Sequence, residues 1–145
     1  MGTKFAMFDN VVITHWYDQI TVKDVDEIFE VLKNAHKRNG AMTGVSILGP
    51  RMERPQMDVL NRMHALHPQM CTFQASSHYV MLIGGFLASG IMANVTRLLT
   101  QGTGGNLFFH KTVRDALTRG GEYQRSVRSH HEILMELKRK DFPLE

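Results

Sequence analysis

The chain has 145 residues, 43% hydrophobic and 21% charged, a length and balance that support one folded domain with its own core and exclude a disordered chain. A net charge of +3 is too small to point to nucleic acid. One cysteine, Cys71, excludes an internal disulfide framework and fits a reducing, cytoplasmic compartment.

The N-terminal residues carry no secretory pattern, and Ala6 stands where a myristoylation signal needs Ser or Thr. Residues 5–8 and 11–17 are apolar, β-branched runs separated by Asp9-Asn10, which predicts a hairpin. Alternation places Trp16 on the face opposite His15 and Tyr17. Thr21 opens a helix as its N-cap, with Asp24 at the capping-box position. Val25, Ile28, Phe29, Leu32 and Ala35 form its buried stripe, and Asn39-Gly40 stops it.

Residues 42–48 read as a central strand ended by Gly49-Pro50. A second helix uses Pro55 in its first turn, buries Met57, Leu60 and Met63, and stops before Pro68. Residues 71–74 are left between strand and loop, and residues 79–83 form the most apolar strand. Gly84-Gly85 leads into a third helix whose apolar face includes Phe86, Leu87, Ile91 and Val95. Gly84, Gly85, Ser89, Gly90, Asn94 and Arg97 interrupt residues 80–99, so no membrane span is expected. Residues 102–105 are a break and residues 107–109 a short strand. Thr112 with Asp115 opens a fourth helix ending at Gly120-Gly121, and residues 122–140 form one last amphipathic helix. The expected fold is a small α/β domain over residues 1–121. Its sheet is mixed but mainly parallel, with an N-terminal β-hairpin as antiparallel edge and alternating helices; residues 122–145 are a C-terminal helical tail.

No catalytic motif stands out. The glycines at 84, 85 and 90 fit neither a Walker A loop nor the dinucleotide fingerprint, so a tight turn competes with a ligand contact there. His64 and His67 are three apart on a helix, but no further ligand completes a metal site; none is expected, nor any cofactor. The sequence offers no obvious activating pair for Cys71, and the Ser76-Ser77-His78 run lacks triad context. Trp16 and Tyr17 at a strand end serve either a partner or the core edge. Mixed charges in the tail fit a solvated face, whose apolar stripe is also a docking surface for a partner or second copy.

The hairpin, the segment Asp18-Gln19-Ile20-Thr21, the acid-rich capped helix and the alternation that follows resemble the STAS-like domains over residues 5–120. These are relatives of the bacterial anti-sigma-factor antagonists. The phosphorylatable antagonists carry Ser or Thr where the central strand meets the next helix. Here that junction is Leu48-Gly49-Pro50-Arg51-Met52-Glu53, without a hydroxyl, so the phosphorylation switch does not carry over.

The resemblance implies a bacterial, non-enzymatic regulatory or scaffolding module that binds a protein partner and self-associates. Its expected binding surface is Gly49, Arg51, Gly84, Gly85, Phe86 and Ser89 at one end of the sheet, with Trp16 and Tyr17. The alternative is a sensor or carrier of a nucleotide or lipid, with an apolar pocket between the third helix and the sheet lined by Met81, Phe86 and Met92. A small enzyme is the third reading, with His15, Asp18 and His78 the first residues to mutate.

Overall fold

The computed structural model describes residues 2–85, 88–93 and 106–145. The expected hairpin forms from β1 (Thr3–Phe8) and β2 (Val11–Trp16), paired antiparallel with Phe8 opposite Val11. Asp9 adopts the left-handed conformation in the two-residue turn, φ 57°. Then follow α1 (Val22–Asn39), β3 (Met42–Leu48), α2 (Met57–Phe73) and β4 (Gln74–Met81). Residues 88–93 are helical, and β5 (Leu107–His110), α3 (Val113–Gly120) and α4 (His130–Arg139) complete the described chain. The strands make one sheet in the order β1-β2-β3-β4-β5, parallel from β2 to β5. The antiparallel edge and the mainly parallel sheet are as the sequence predicts.

Thr21 caps α1 through a reciprocal capping box with Asp24, worth about 1 kcal/mol. The Gly2 N–H and the Thr3 hydroxyl also donate to Asp24, tying β1 to the start of α1. Gly40 closes the helix with φ 75°, its N–H donating to the His36 carbonyl.

Four expectations are corrected, at Pro68, at Pro55, in the tail, and in β4, which runs over Gln74–Met81 and not 79–83. Helix α2 does not stop before Pro68; it runs through it to Phe73, so residues 71–73 are helical. An interior proline removes a helix hydrogen bond and costs about 3 kcal/mol. Tertiary packing offsets this, because buried Phe73 lies 5.7 Å from the Phe29 ring and 5.2 Å from the His36 ring. Pro55 lies before the Gln56 cap rather than inside the first turn.

The tail is not one helix from 122 to 140. The buried side chain of Asn10 donates to the Arg125 carbonyl at 2.7 Å and accepts from the Val127 N–H at 3.1 Å, taking backbone groups that a helix would use. The helix starts only at His130, where Ser129 accepts from the Glu132 N–H.

The sheet divides two apolar clusters. On one face Ala6, Phe8, Val11, Ile13, Val45, Ile47 and Val80 pack beneath Val113, Ala116 and Leu117 of α3 and Ile133, Leu134 and Leu137 of α4. The tail thus packs on the domain. On the other face Val12, Trp16, Met42 and Leu48 meet the buried stripe of α1 with Val59 and Phe73 of α2. Among the described residues no helix is long and apolar enough to cross a membrane.

Candidate functional site

Alternation along the strands sends Val12, Thr14 and Trp16 of β2, Gly44, Ser46 and Leu48 of β3, and Ser77, Tyr79 and Met81 of β4 toward α1 and α2. At the centre of that face the side chains are short: Thr14, Gly44, Ser46 and Ser77. They do not reach the helices above. The result is a cavity of about 1210 Å³ between the sheet, α1, α2 and residues 90–93.

Helix α2 stands off the sheet. Its residues Met57, Leu60, Met63, His64, His67 and Met70 recur at helical spacing along the cavity wall, while only Val59 and Phe73 of α2 are buried. Val25, Ile28 and Leu32 of α1 supply the opposite wall. An exposed Arg62–Asp26 ion pair, 2.7 Å, joins the two helices and contributes less than about 1 kcal/mol.

Among the described residues the polar groups that line the cavity are mostly uncharged. Thr14 lies directly across from Ser46, and Ser46 directly across from Tyr79, so three hydroxyl side chains stand in one row across three strands. Burial pushes the Tyr79 phenol up to about 12. Burial, with His64 as a second cause, lowers the pKa of His67, whose ring contacts Cys71 Sγ at 3.4 Å. Burial raises the Cys71 thiol. The charged lining residues Glu53 and Arg54 are exposed. Two lining residues, Trp16 and Gln74, carry a buried Nε1 and Oε1 with no hydrogen-bond partner among the described residues. The Gln74 amide lies over Gly44, where a Cβ would sit 2.2 Å from Oε1.

The predicted site residues separate into groups. Trp16 joins the cavity wall. Tyr17 lies on the opposite face, its ring 5.1 Å from that of His15, as alternation predicts. Gly49 is buried; its N–H donates to the Trp16 carbonyl, and a Cβ would fall 2.6 Å from His15 Nε2, which gives the glycine a packing reason. Arg51 is exposed and faces Asp18 at 3.9 Å. Gly84 and Gly85 are exposed beyond the end of β4, Gly85 with φ 62°, and Ser89 is exposed on the helical residues after them. The backbone bond from Leu82 N–H to the Leu48 carbonyl brings the ends of β3 and β4 together, so both loops share the C-terminal edge of the parallel strands. Phe86 lies outside the described residues. Of the other residues expected around a pocket, Met81 packs against the apolar cluster and Met92 is exposed. The helical residues 88–93 do border the cavity, through Gly90, Ile91 and Ala93, and most of the remaining wall comes from α1 and α2.

A second polar constellation lies across the sheet. His78 is fully buried; its Nδ1 meets His110 Nε2 and its Nε2 meets Ser76 Oγ, each at 2.8 Å. Burial, with His110 and Arg119 as further causes, pushes the His78 pKa down to about 4. Gly120 of α3 covers the ring, since a Cβ there would lie 3.3 Å from His78 Nε2. The row has the connectivity of a proton relay, with Ser76 at its inner end only 1% exposed. Its role is to satisfy buried polar groups. Among the described residues no group of three or more His, Cys, Asp or Glu is placed to hold a metal ion.

Sequence reading missed the short floor of the cavity. The signal was present: one face of residues 42–48 reads Gly44, Ser46, the other Thr43, Val45, Ile47. No protein-family description, curated protein or solved structure matches the chain.

Proposed function

We propose that this chain is a non-enzymatic regulatory module, STAS-like in build, that takes a small, largely apolar molecule into the cavity under α1 and α2. The cavity carries this reading: about 1210 Å³, walled mainly by aliphatic and Met side chains with a few hydroxyls. Ligand sites are concave and mostly apolar, with a small number of placed polar groups. The STAS-like label rests on element order and the Asp18-Gln19-Ile20-Thr21 segment.

A protein partner would read the occupied state at the C-terminal edge, where Arg51, Gly84 and Gly85 are exposed. Self-association has its own support in edge strand β1, which leaves Phe5 45% exposed.

The test uses the full chain and the neutral apolar probe N-phenyl-1-naphthylamine. Binding gives enhanced probe fluorescence and a rise of several degrees in Tm at probe concentrations well above Kd. No fluorescence gain and no Tm shift would overturn the reading.

A further inference from the structure

The chemistry of the cavity narrows what it takes. This step rests on the cavity being a ligand site. A buried carboxylate or phosphate needs a cation or several charge-assisted donors. Among the described lining residues the cationic groups are Arg54, which is exposed beside Glu53, exposed His64, and His67, whose charged form burial disfavours. None of these supplies a buried positive charge at the floor.

The floor offers hydroxyls instead. Thr14, Ser46 and Tyr79 are register neighbours on β2, β3 and β4, and adjacent strands lie about 4.8 Å apart, so the row spans roughly 10 Å. Hydroxyls both donate and accept, which suits an uncharged oxygen function such as a carbonyl or hydroxyl. Around them the walls are apolar, and Met52, Met57, Met63 and Met70 adapt to bodies of different shape. The volume exceeds the roughly 300–1,000 Å³ of ordinary small-molecule pockets, which leaves room for a bulky hydrocarbon body.

We infer that the cavity takes a neutral lipid whose head carries uncharged oxygen functions, set on the Thr14–Ser46–Tyr79 row, in preference to a nucleotide or a fatty-acid anion. Selectivity lies in the row and tolerance in the Met-lined wall.

Trp16 is the only tryptophan in the chain and lines the cavity, so its emission reports occupancy. The probes are 1-monooleoylglycerol, oleate and ATP, titrated into the full chain beside N-phenyl-1-naphthylamine. Monooleoylglycerol is expected to shift Trp16 emission and bind at least about tenfold tighter than oleate, with no response to ATP. Ser46→Ala and Thr14→Val should each weaken monooleoylglycerol about fivefold more than they weaken N-phenyl-1-naphthylamine, the equivalent of one net hydrogen bond. Oleate or ATP binding as tightly as monooleoylglycerol overturns the neutral class while the cavity reading stands. Monooleoylglycerol binding that neither substitution alters overturns the role of the row. If no probe binds, N-phenyl-1-naphthylamine included, the ligand site itself is refuted.

Discussion

The two faces of one sheet are built to different rules. Beneath α3 and α4 the central strands present Val11, Ile13, Val45, Ile47 and Val80, and the helices close on them with Leu117, Ile133 and Leu137 at 1% exposure or less. Beneath α1 and α2 the middle of the same three strands presents Thr14, Gly44, Ser46 and Ser77, and α2 stands off, while α1 still packs on Val12, Trp16, Met42 and Leu48. One face spends its volume on packing and the other keeps it open. Since β2, β3 and β4 serve both faces, each strand packs the closed face with one set of alternate residues and floors the cavity with part of the other set. A change of face is therefore a change of role.

The contrast predicts a graded set of effects. The largest is on the packed face: Leu137→Ala should destabilise the protein by about 2–5 kcal/mol, measured by urea unfolding, because the closely packed site cannot collapse around the lost atoms. A loss below about 1 kcal/mol would show that this face is not the tighter of the two.

The next effect is in pH. His78 has its folded pKa lowered to about 4 against an ordinary 6.5, so the unfolded chain binds the proton more readily. The contribution of this group is fully present above pH 6.5 and is lost as pH falls toward 4. The pKa difference corresponds to roughly 3 kcal/mol at most. His15, His67 and His110 shift in the same direction, chiefly through burial. Urea midpoints between pH 7.5 and 4.5 should fall for the native chain and fall less for His78→Leu; equal slopes would remove His78 from the account.

Loss of the α1 cap by Thr21→Ala should cost about 1 kcal/mol by the same measurement, with the two bonds between the Thr21 hydroxyl and Asp24 gone and the backbone Thr21 N–H bond to the carboxylate kept. The smallest change in stability belongs to the open face. Ser46→Leu puts a larger side chain into free space, so the urea midpoint should move by less than about 1 kcal/mol in either direction, while N-phenyl-1-naphthylamine binding is lost. A strongly destabilised Ser46→Leu protein would mean that the space is already filled, and the comparison between faces would fail.

Much of the fold was legible because local chemistry and tertiary packing agree. The Asp9-Asn10 turn, the Thr21–Asp24 box, the Gly40 stop and the Thr112–Asp115 cap are all present where the residues predict them. Two of the misread elements went wrong for different reasons. At Pro68 the local rule is correct, but Phe73, anchored on Phe29 and His36, outweighs it. In the tail, the clamp on Arg125 and Val127 comes from Asn10, more than a hundred residues away, although Ser129 and Glu132 did mark the true helix start. The site was less legible. That Gly49 packs against His15, or that His78 meets His110, depends on strand register across the sheet. The apolar stripe of α2 reads as core by spacing, yet it lines a void because the facing strand residues are short.

The Asn10 clamp also sets an order of events. Its contacts link residues 115 and 117 positions apart, so the packed face is a high-contact-order assembly whose closure follows the local elements. During synthesis the hairpin and β3 emerge with Val11, Ile13, Val45 and Ile47 uncovered, and the helices that shield them, α3 and α4, are translated after all five strands. Until the residues of α4 leave the ribosome the nascent chain presents a bare apolar sheet, the surface on which chaperones and aggregation compete.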